Sequence, residues 1–318
     1  MAGFEELHVR LSDGYEAYAR YWAPERAVGN VLYLHGIQSH CAWYEASAER
    51  LRQAGFAVLQ PDRRGSGRNE RDRGHADGPG QLLDDAFACA NELALRSGIR
   101  RHHVLGVSWG GKLAAAMHVT RPEPIASLTL VTPGLFPVVD VSAMDKLRIG
   151  WAMLSDPRRL FDIPLNDPEL FTDDPAWIEW LRNDARQLHQ ATAGFFLASR
   201  RMDRTAQRLA SAPPTPLHVL LAEDERIIDN AATRRFLREL TWPTLRITTY
   251  QRARHTLEFA GSRDRYLDDL VNWLRELQDL SDRAAVNSCP PPEHAHGKGQ
   301  RDHAQPDAQP RRQPEPRA

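Results

Sequence analysis

At 318 residues, the chain is long enough for one large α/β domain with an insertion. Its 41 basic and 42 acidic residues nearly cancel, which argues against a nucleic-acid or anionic-membrane partner. Three widely spaced cysteines, Cys41, Cys89 and Cys289, argue against a disulfide framework and suit a reducing compartment. The opening stretch MAGFEELHVRLSDG lacks a basic and then an apolar signal region, and no apolar run approaches the roughly 18 residues that span a bilayer. A soluble cytoplasmic protein without stable membrane insertion is therefore expected; composition leaves the oligomeric state open.

FEELHVRL and YEAYARYW, joined by Ser12-Asp13-Gly14, read as an antiparallel hairpin. NVLYLHG is a near-continuous apolar run, as in a strand buried on both faces. WYEASAERLRQAG has helical spacing and ends at Gly55, a C-cap signal. The chain then alternates: strand FAVLQPD, helix GQLLDDAFACANELAL, strand HHVLGV, helix GKLAAAMHV, strand IASLTLVTP. This alternation predicts a mostly parallel sheet with helices on both faces. It breaks at Pro133-Gly134. Residues 135–213 carry no convincing strand, but they are rich in helix formers and in Trp151, Phe161, Phe171, Trp177, Trp180, Phe195 and Phe196. Strand and helix resume with PLHVLLA, NAATRRFLREL and TLRITTY and close with the helix DRYLDDLVNWLRELQDL. The expected divisions are a core over 1–134 and 214–283, a helical insertion over 135–213, and a proline-rich disordered tail over 284–318. His294, His296 and His303 in that tail match no established metal spacing, and a solvated tail is expected.

Gly106-Val107-Ser108-Trp109-Gly110 fits G-x-S-x-G at the end of a strand and the start of a helix. The glycines have a steric reason: an abrupt strand-to-helix turn strains the central residue and leaves no room for side chains two positions away. Such a turn presents the Ser108 hydroxyl at the carboxyl edge of the sheet, where open α/β folds bind ligands. A serine needs a base, and a carboxylate to orient that base. His255, in the loop after TLRITTY, follows in the right order and on the right edge. His35, His75 and His189 are placed less well. The loop after LHVLLA holds Glu223, Asp224, Glu225 and Asp229. Asp229 or Asn230 reads as a helix N-cap, leaving Glu225 and Asp224 as candidates for the acid.

These segments, LHGIQSH, PDRRGSGRN, GVSWGG, LLAEDERIIDN and ARHTLEF, resemble the α/β-hydrolase superfamily. Within it, they are similar to serine hydrolases of the monoacylglycerol lipase and lysophospholipase kind. The resemblance spans residues 4 to 280, with the helical insertion where that superfamily carries a cap. Aligned on Arg226-Ile227-Ile228-Asp229, its D-R-[IL]-[VI]-D pattern puts Glu225 where aspartate is usual and makes Glu225 the expected acid, with Asp224 the alternative. The resemblance also implies an oxyanion hole from the backbone N–H groups of Ile37, in the loop begun by His35-Gly36, and of Trp109. Asp62, Gly65 and Gly67 are expected to shape a tight loop behind the site, with Arg63 and Arg64 solvated or paired with carboxylates.

The expected reaction is two-step acyl transfer from a small-molecule carboxylic ester, needing no metal or organic cofactor. Trp177, Trp180, Phe195 and Phe196 either line an apolar acyl pocket or form the insertion's own core. Peptidase, C–C bond hydrolase and acyltransferase readings use the same three residues. A non-catalytic binding protein of this fold is the remaining alternative.

Overall fold

Ten strands and eight α-helices organise residues 3–287, the part of the chain that this computed structural model describes. The first half runs β1 (Glu5–Arg10), β2 (Glu16–Trp22), β3 (Gly29–Leu34), α1 (Glu45–Gln53), β4 (Phe56–Pro61), α2 (Pro79–Ser97), β5 (His102–Val107), α3 (Trp109–Thr120) and β6 (Ile125–Val131). Next come α4 (Ala143–Ser155), β7 (Leu160–Asp162), α5 (Pro175–Arg182), β8 (Gln190–Thr192) and α6 (Ala193–Ala206). The chain continues through β9 (Leu217–Ala222), α7 (Asn230–Arg238), β10 (Leu245–Tyr250) and α8 (Arg263–Asn287). Of the described residues, 3–280 belong to one compact unit. Cys289, His294, His296 and His303 lie outside the described residues, as does most of the expected tail.

Eight strands make one sheet in the order β1-β2-β4-β3-β5-β6-β9-β10. β1 and β2 pair antiparallel, β2 meets β4 antiparallel, and every later pair is parallel. β3, β4, β5 and β9 are buried along their whole length, which is why they read as predominantly apolar runs without a polar face. From β3 the chain passes first to β4 on one side and later to β5 on the other. The carboxyl ends of β3 and β5 therefore flank the point where strand order reverses, the usual ligand crevice of an open α/β sheet.

The stretch between β6 and β9 differs from expectation in one respect. β7 and β8 form a small antiparallel ribbon, pairing Phe161 with Ala191. Strands of three residues are too short to show a two-residue period, and their partners lie far apart in sequence. Most of the aromatic residues here pack inward on the core. Trp177 stacks on Phe259 at 4.3 Å and Phe195 on Trp109 at 5.5 Å. Ile149, Ala152, Phe161 and Ala193 make a small local cluster, with Phe196 against it. Trp151 stays exposed on α4.

Candidate active site

Ser108 joins β5 to α3 with φ 53° and ψ −116°, a conformation that L-residues rarely adopt. Its neighbours show why the flanking glycines are needed. A Cβ at Gly106 would lie 2.3 Å from the Gly110 carbonyl oxygen, and one at Gly110 would lie 2.2 Å from that of Leu34. The Ser108 carbonyl accepts from the Gly111 and Gly134 amides at 2.9 and 2.8 Å, while its own N–H donates to Val131 at 2.9 Å. Strain at one residue is thus held in place by bonds to two neighbouring segments.

His255 follows β10, as its order in the chain requires. The Thr132 hydroxyl, at the end of β6, donates to the His255 carbonyl oxygen at 3.0 Å and anchors that loop. The imidazole Nδ1 lies 3.0 and 2.9 Å from the two carboxylate oxygens of Glu225. Both side chains are almost fully buried. Glu225 Oε1 also accepts from the Ile227 and Ile228 amides, at 2.8 and 3.3 Å. Burial alone would raise the Glu225 pKa, but the His255 charge, its hydrogen bond and the two amides outweigh burial and hold it below the usual value. An ionised carboxylate only accepts, so the His255 proton resides on Nδ1 and leaves Nε2 as the acceptor. Nε2 is buried and has no hydrogen-bond partner. Ser108 and His255 line one small cavity of about 10 Å³.

Asp224, the alternative acid, is placed elsewhere. It pairs with Arg226 and Arg254 at 3.3 and 3.1 Å and is half exposed. Asp229 caps α7, accepting from the Ala232 amide at 2.8 Å.

Ile37 and Trp109 both line a larger cavity of about 130 Å³ with Ser108. Among the described residues, neither amide donates a backbone hydrogen bond in a turn, loop or cap. His35 fixes the loop before Ile37. Its Nε2 accepts from the Arg63 amide at 2.8 Å, so Nδ1 carries the proton and donates to the Gly36 carbonyl at 2.8 Å. Burial, then the Arg63 charge, keeps His35 well below the usual histidine pKa. Asp62 accepts from the Cys41 and Arg68 amides, both at 2.8 Å. Gly67, at φ +54°, is required because a Cβ there would meet Asp62 at 2.1 Å.

The expectation for Arg63 is corrected. Arg64 does pair with carboxylates, those of Asp85 and Asp13. Arg63 instead donates to the carbonyls of Gly36 and Ile37, at 3.2 and 2.9 Å. Its guanidinium carbon lies 4.7 Å from the Trp109 ring centre and 4.9 Å from that of Phe195. Burial, then the Arg73 charge, lowers its pKa to about 9, so it remains a cation at neutral pH. Sequence reading also missed a polar cluster on the wall of the larger cavity, formed by Lys112, Ser199, Arg200 and Asp203. These residues meet only when α6 docks on α3, and no local pattern announces that contact. His75 and His189 stand apart: His75 bonds Thr192 and Asp77, and His189 is exposed. Among the described residues, no group of three or more His, Cys, Asp or Glu side chains is arranged to hold a metal ion.

Residues 25–260 match the model of the family described as serine aminopeptidase, S33. A monoacylglycerol lipase from Paleococcus ferrophilus shares the fold at 21% identity and a TM-score of 0.75, over 83% of this chain and 100% of its own. A soluble variant of monoglyceride lipase from Saccharomyces cerevisiae, solved with a substrate analogue, superposes at 16% identity and a TM-score of 0.73, over 87% of this chain and 97% of its own. A thermostable carboxyl esterase from Bacillus coagulans, solved with glycerol, does so at 17% identity and a TM-score of 0.70, over 87% and 100%. The extent of the family match, together with the strand order and the turn that carries Ser108, makes this chain a member of the serine aminopeptidase S33 family of α/β-hydrolases.

Proposed function

We propose that this protein is a carboxylic ester hydrolase working through an acyl-enzyme. The observation that carries the reading is the strained Ser108 sharing a cavity wall with His255, whose Nδ1 is held by both oxygens of Glu225. His255 Nε2 takes the Ser108 proton as Oγ attacks the ester carbonyl. The amides of Ile37 and Trp109 receive the developing oxyanion, and losing one such donor typically costs a hundredfold or more in rate. His255 then protonates the departing alcohol, and water activated by the same nitrogen releases the acid. Glu225 stabilises the imidazolium and fixes its tautomer.

Val139, Ile163, Leu165 and Phe196 on the larger cavity support an acyl chain with a stretch of apolar methylenes, such as monoacylglycerols and lysophospholipids carry. The stretch from 135 to 213 is read as the cap that supplies much of this lining. Among the described residues, Cys41 and Cys89 are free thiols, both buried; they suit a reducing compartment, and a cytoplasmic location is part of the reading. Among the described residues, no helix is long and apolar enough to cross a membrane.

Labelling by a fluorophosphonate, compared with Ser108→Ala and His255→Ala, tests the nucleophile. Labelling of the wild type that vanishes in both variants is expected, and an unlabelled, folded wild type overturns the reading. The family description favours one rival, a peptidase using the same residues. Turnover of aminoacyl p-nitroanilides at rates above those for p-nitrophenyl esters would select it.

A further inference from the structure

Lys112 lies one helical turn beyond Ser108 on α3, yet its side chain is buried against α6. Its Nζ is 2.5 Å from Asp203 Oδ1 and donates to Ser199 Oγ at 3.1 Å. The Trp109 indole N–H donates to the same Ser199 oxygen at 2.9 Å. With both lone pairs of that oxygen taken, Ser199 has only its proton left to offer. Among the described residues, no acceptor receives it. Lys112 has three N–H donors, of which one bonds Ser199 while its charge faces Asp203, so it too retains donor capacity. Arg200, largely exposed, stands 3.5 Å from Asp203 Oδ2.

All four side chains line the larger cavity that also reaches Ser108 and Ile37. The acidic groups on that wall are already matched, Asp203 by Lys112 and Arg200, and Asp140 by Lys146. The charges are matched, yet hydrogen-bonding capacity stays open: the spare donors of Lys112 and Ser199 stand beside Asp203 Oδ1, a buried acceptor without a hydrogen-bond partner among the described residues. A buried ion pair is commonly no more stabilising than well-packed apolar residues, so stability alone gives little reason for this one to line a cavity.

The two cavities also separate the halves of an ester. His255 must reach the leaving alcohol to protonate it, and His255 lines the small cavity but not the larger one. The larger cavity is therefore the acyl side.

Resting on the ester hydrolase reading, we propose that the preferred acyl group ends in a carboxylate, bound by the spare donors of Lys112 and Ser199 with Arg200 at the rim. The substrate class is then a half-ester of a dicarboxylic acid, its methylenes against the apolar walls and its free carboxylate against this cluster.

The test compares kcat/KM for ethyl half-esters of C4 to C10 dicarboxylic acids with that for neutral ethyl esters of matched length. At the best length, the half-ester is expected to be favoured at least tenfold. Ser199→Ala, Arg200→Ala and the charge-balanced pair Lys112→Met with Asp203→Leu should each collapse this ratio, mainly through KM. Calorimetric binding of half-esters to Ser108→Ala, with and without Ser199→Ala, gives a readout without turnover. Neutral esters cleaved as fast as half-esters at every length, or a ratio unmoved by all three variants, overturns the proposal and leaves the ester hydrolase reading standing. If no ester is cleaved and Ser108 is not labelled, that reading fails instead. Half-ester binding to Ser108→Ala then still decides this one, and absence of binding overturns it.

Discussion

The Arg63 guanidinium donates to the Ile37 carbonyl oxygen at 2.9 Å and packs against the rings of both Trp109 and Phe195. It thereby grips both segments whose amides are proposed to face the oxyanion. Oxyanion stabilisation depends on donors set in place before charge develops. Arg63→Met should lower kcat about ten- to a hundredfold with little change in KM, and Arg63→Lys should recover only part of the loss, lacking the two-pronged geometry. Steady-state kinetics on a p-nitrophenyl ester, with circular dichroism to verify folding, checks this. An unchanged kcat in Arg63→Met would rule it out.

Glu225 and Asp224 are adjacent in sequence, but only Glu225 reaches His255. Glu225→Gln presents an N–H or a neutral oxygen to Nδ1 and should cost on the order of 10⁴ in kcat, through the wrong tautomer and an unstabilised imidazolium. Asp224→Asn, altering a half-exposed ion pair, should change kcat/KM less than about threefold. Equal losses in the two variants would contradict this assignment.

Ser108 carries backbone strain in the resting protein. Ser108→Gly removes the Cβ that makes φ 53° unfavourable and should stabilise the fold by about 1 kcal/mol while abolishing fluorophosphonate labelling. Urea unfolding with an unchanged m value reads the difference. A variant less stable than wild type would show that the turn is not strained.

Glu258 is buried, and its carboxylate accepts from the Ser47 amide at 2.9 Å and from the Ser47 hydroxyl. Burial pushes its pKa up to about 7, against the lowering effect of the Ser47 bonds. The folded protein therefore holds a proton that the unfolded chain releases near the ordinary glutamate value. Stability from this group is full below about 4.5 and declines as pH rises through about 7. The decline should amount to at most about 3 kcal/mol. Glu258→Gln, able to accept from the amide and donate to the hydroxyl, should flatten it. Thermal unfolding between pH 5 and 8 decides the matter, and parallel profiles for wild type and variant would refute it.

Much of this was legible in the chain. Buried strands such as Val31–Leu34 and Val104–Val107 announce themselves because burial on both faces favours near-continuous apolar runs. Ser108 was legible because the turn admits only glycine at positions 106 and 110, a constraint within five residues of sequence. The order of Ser108, the acidic loop and His255 followed from which strand ends share an edge. Strand order alone did not say which carboxylate faces His255, and only the family resemblance favoured Glu225, because Glu225 and Asp224 differ by one position in a loop whose direction is set by the Ile227 and Ile228 amides. Arg63 on the Ile37 carbonyl and Lys112 against Asp203 were likewise invisible. Each joins residues far apart in sequence through a charged side chain, whose ordinary place is in solvent. Local periodicity and steric necessity therefore determined the sheet, the turn at Ser108 and the sheet edge that carries His255. Only the docking of separate segments decided which charges are buried, and so what this cavity is built to hold.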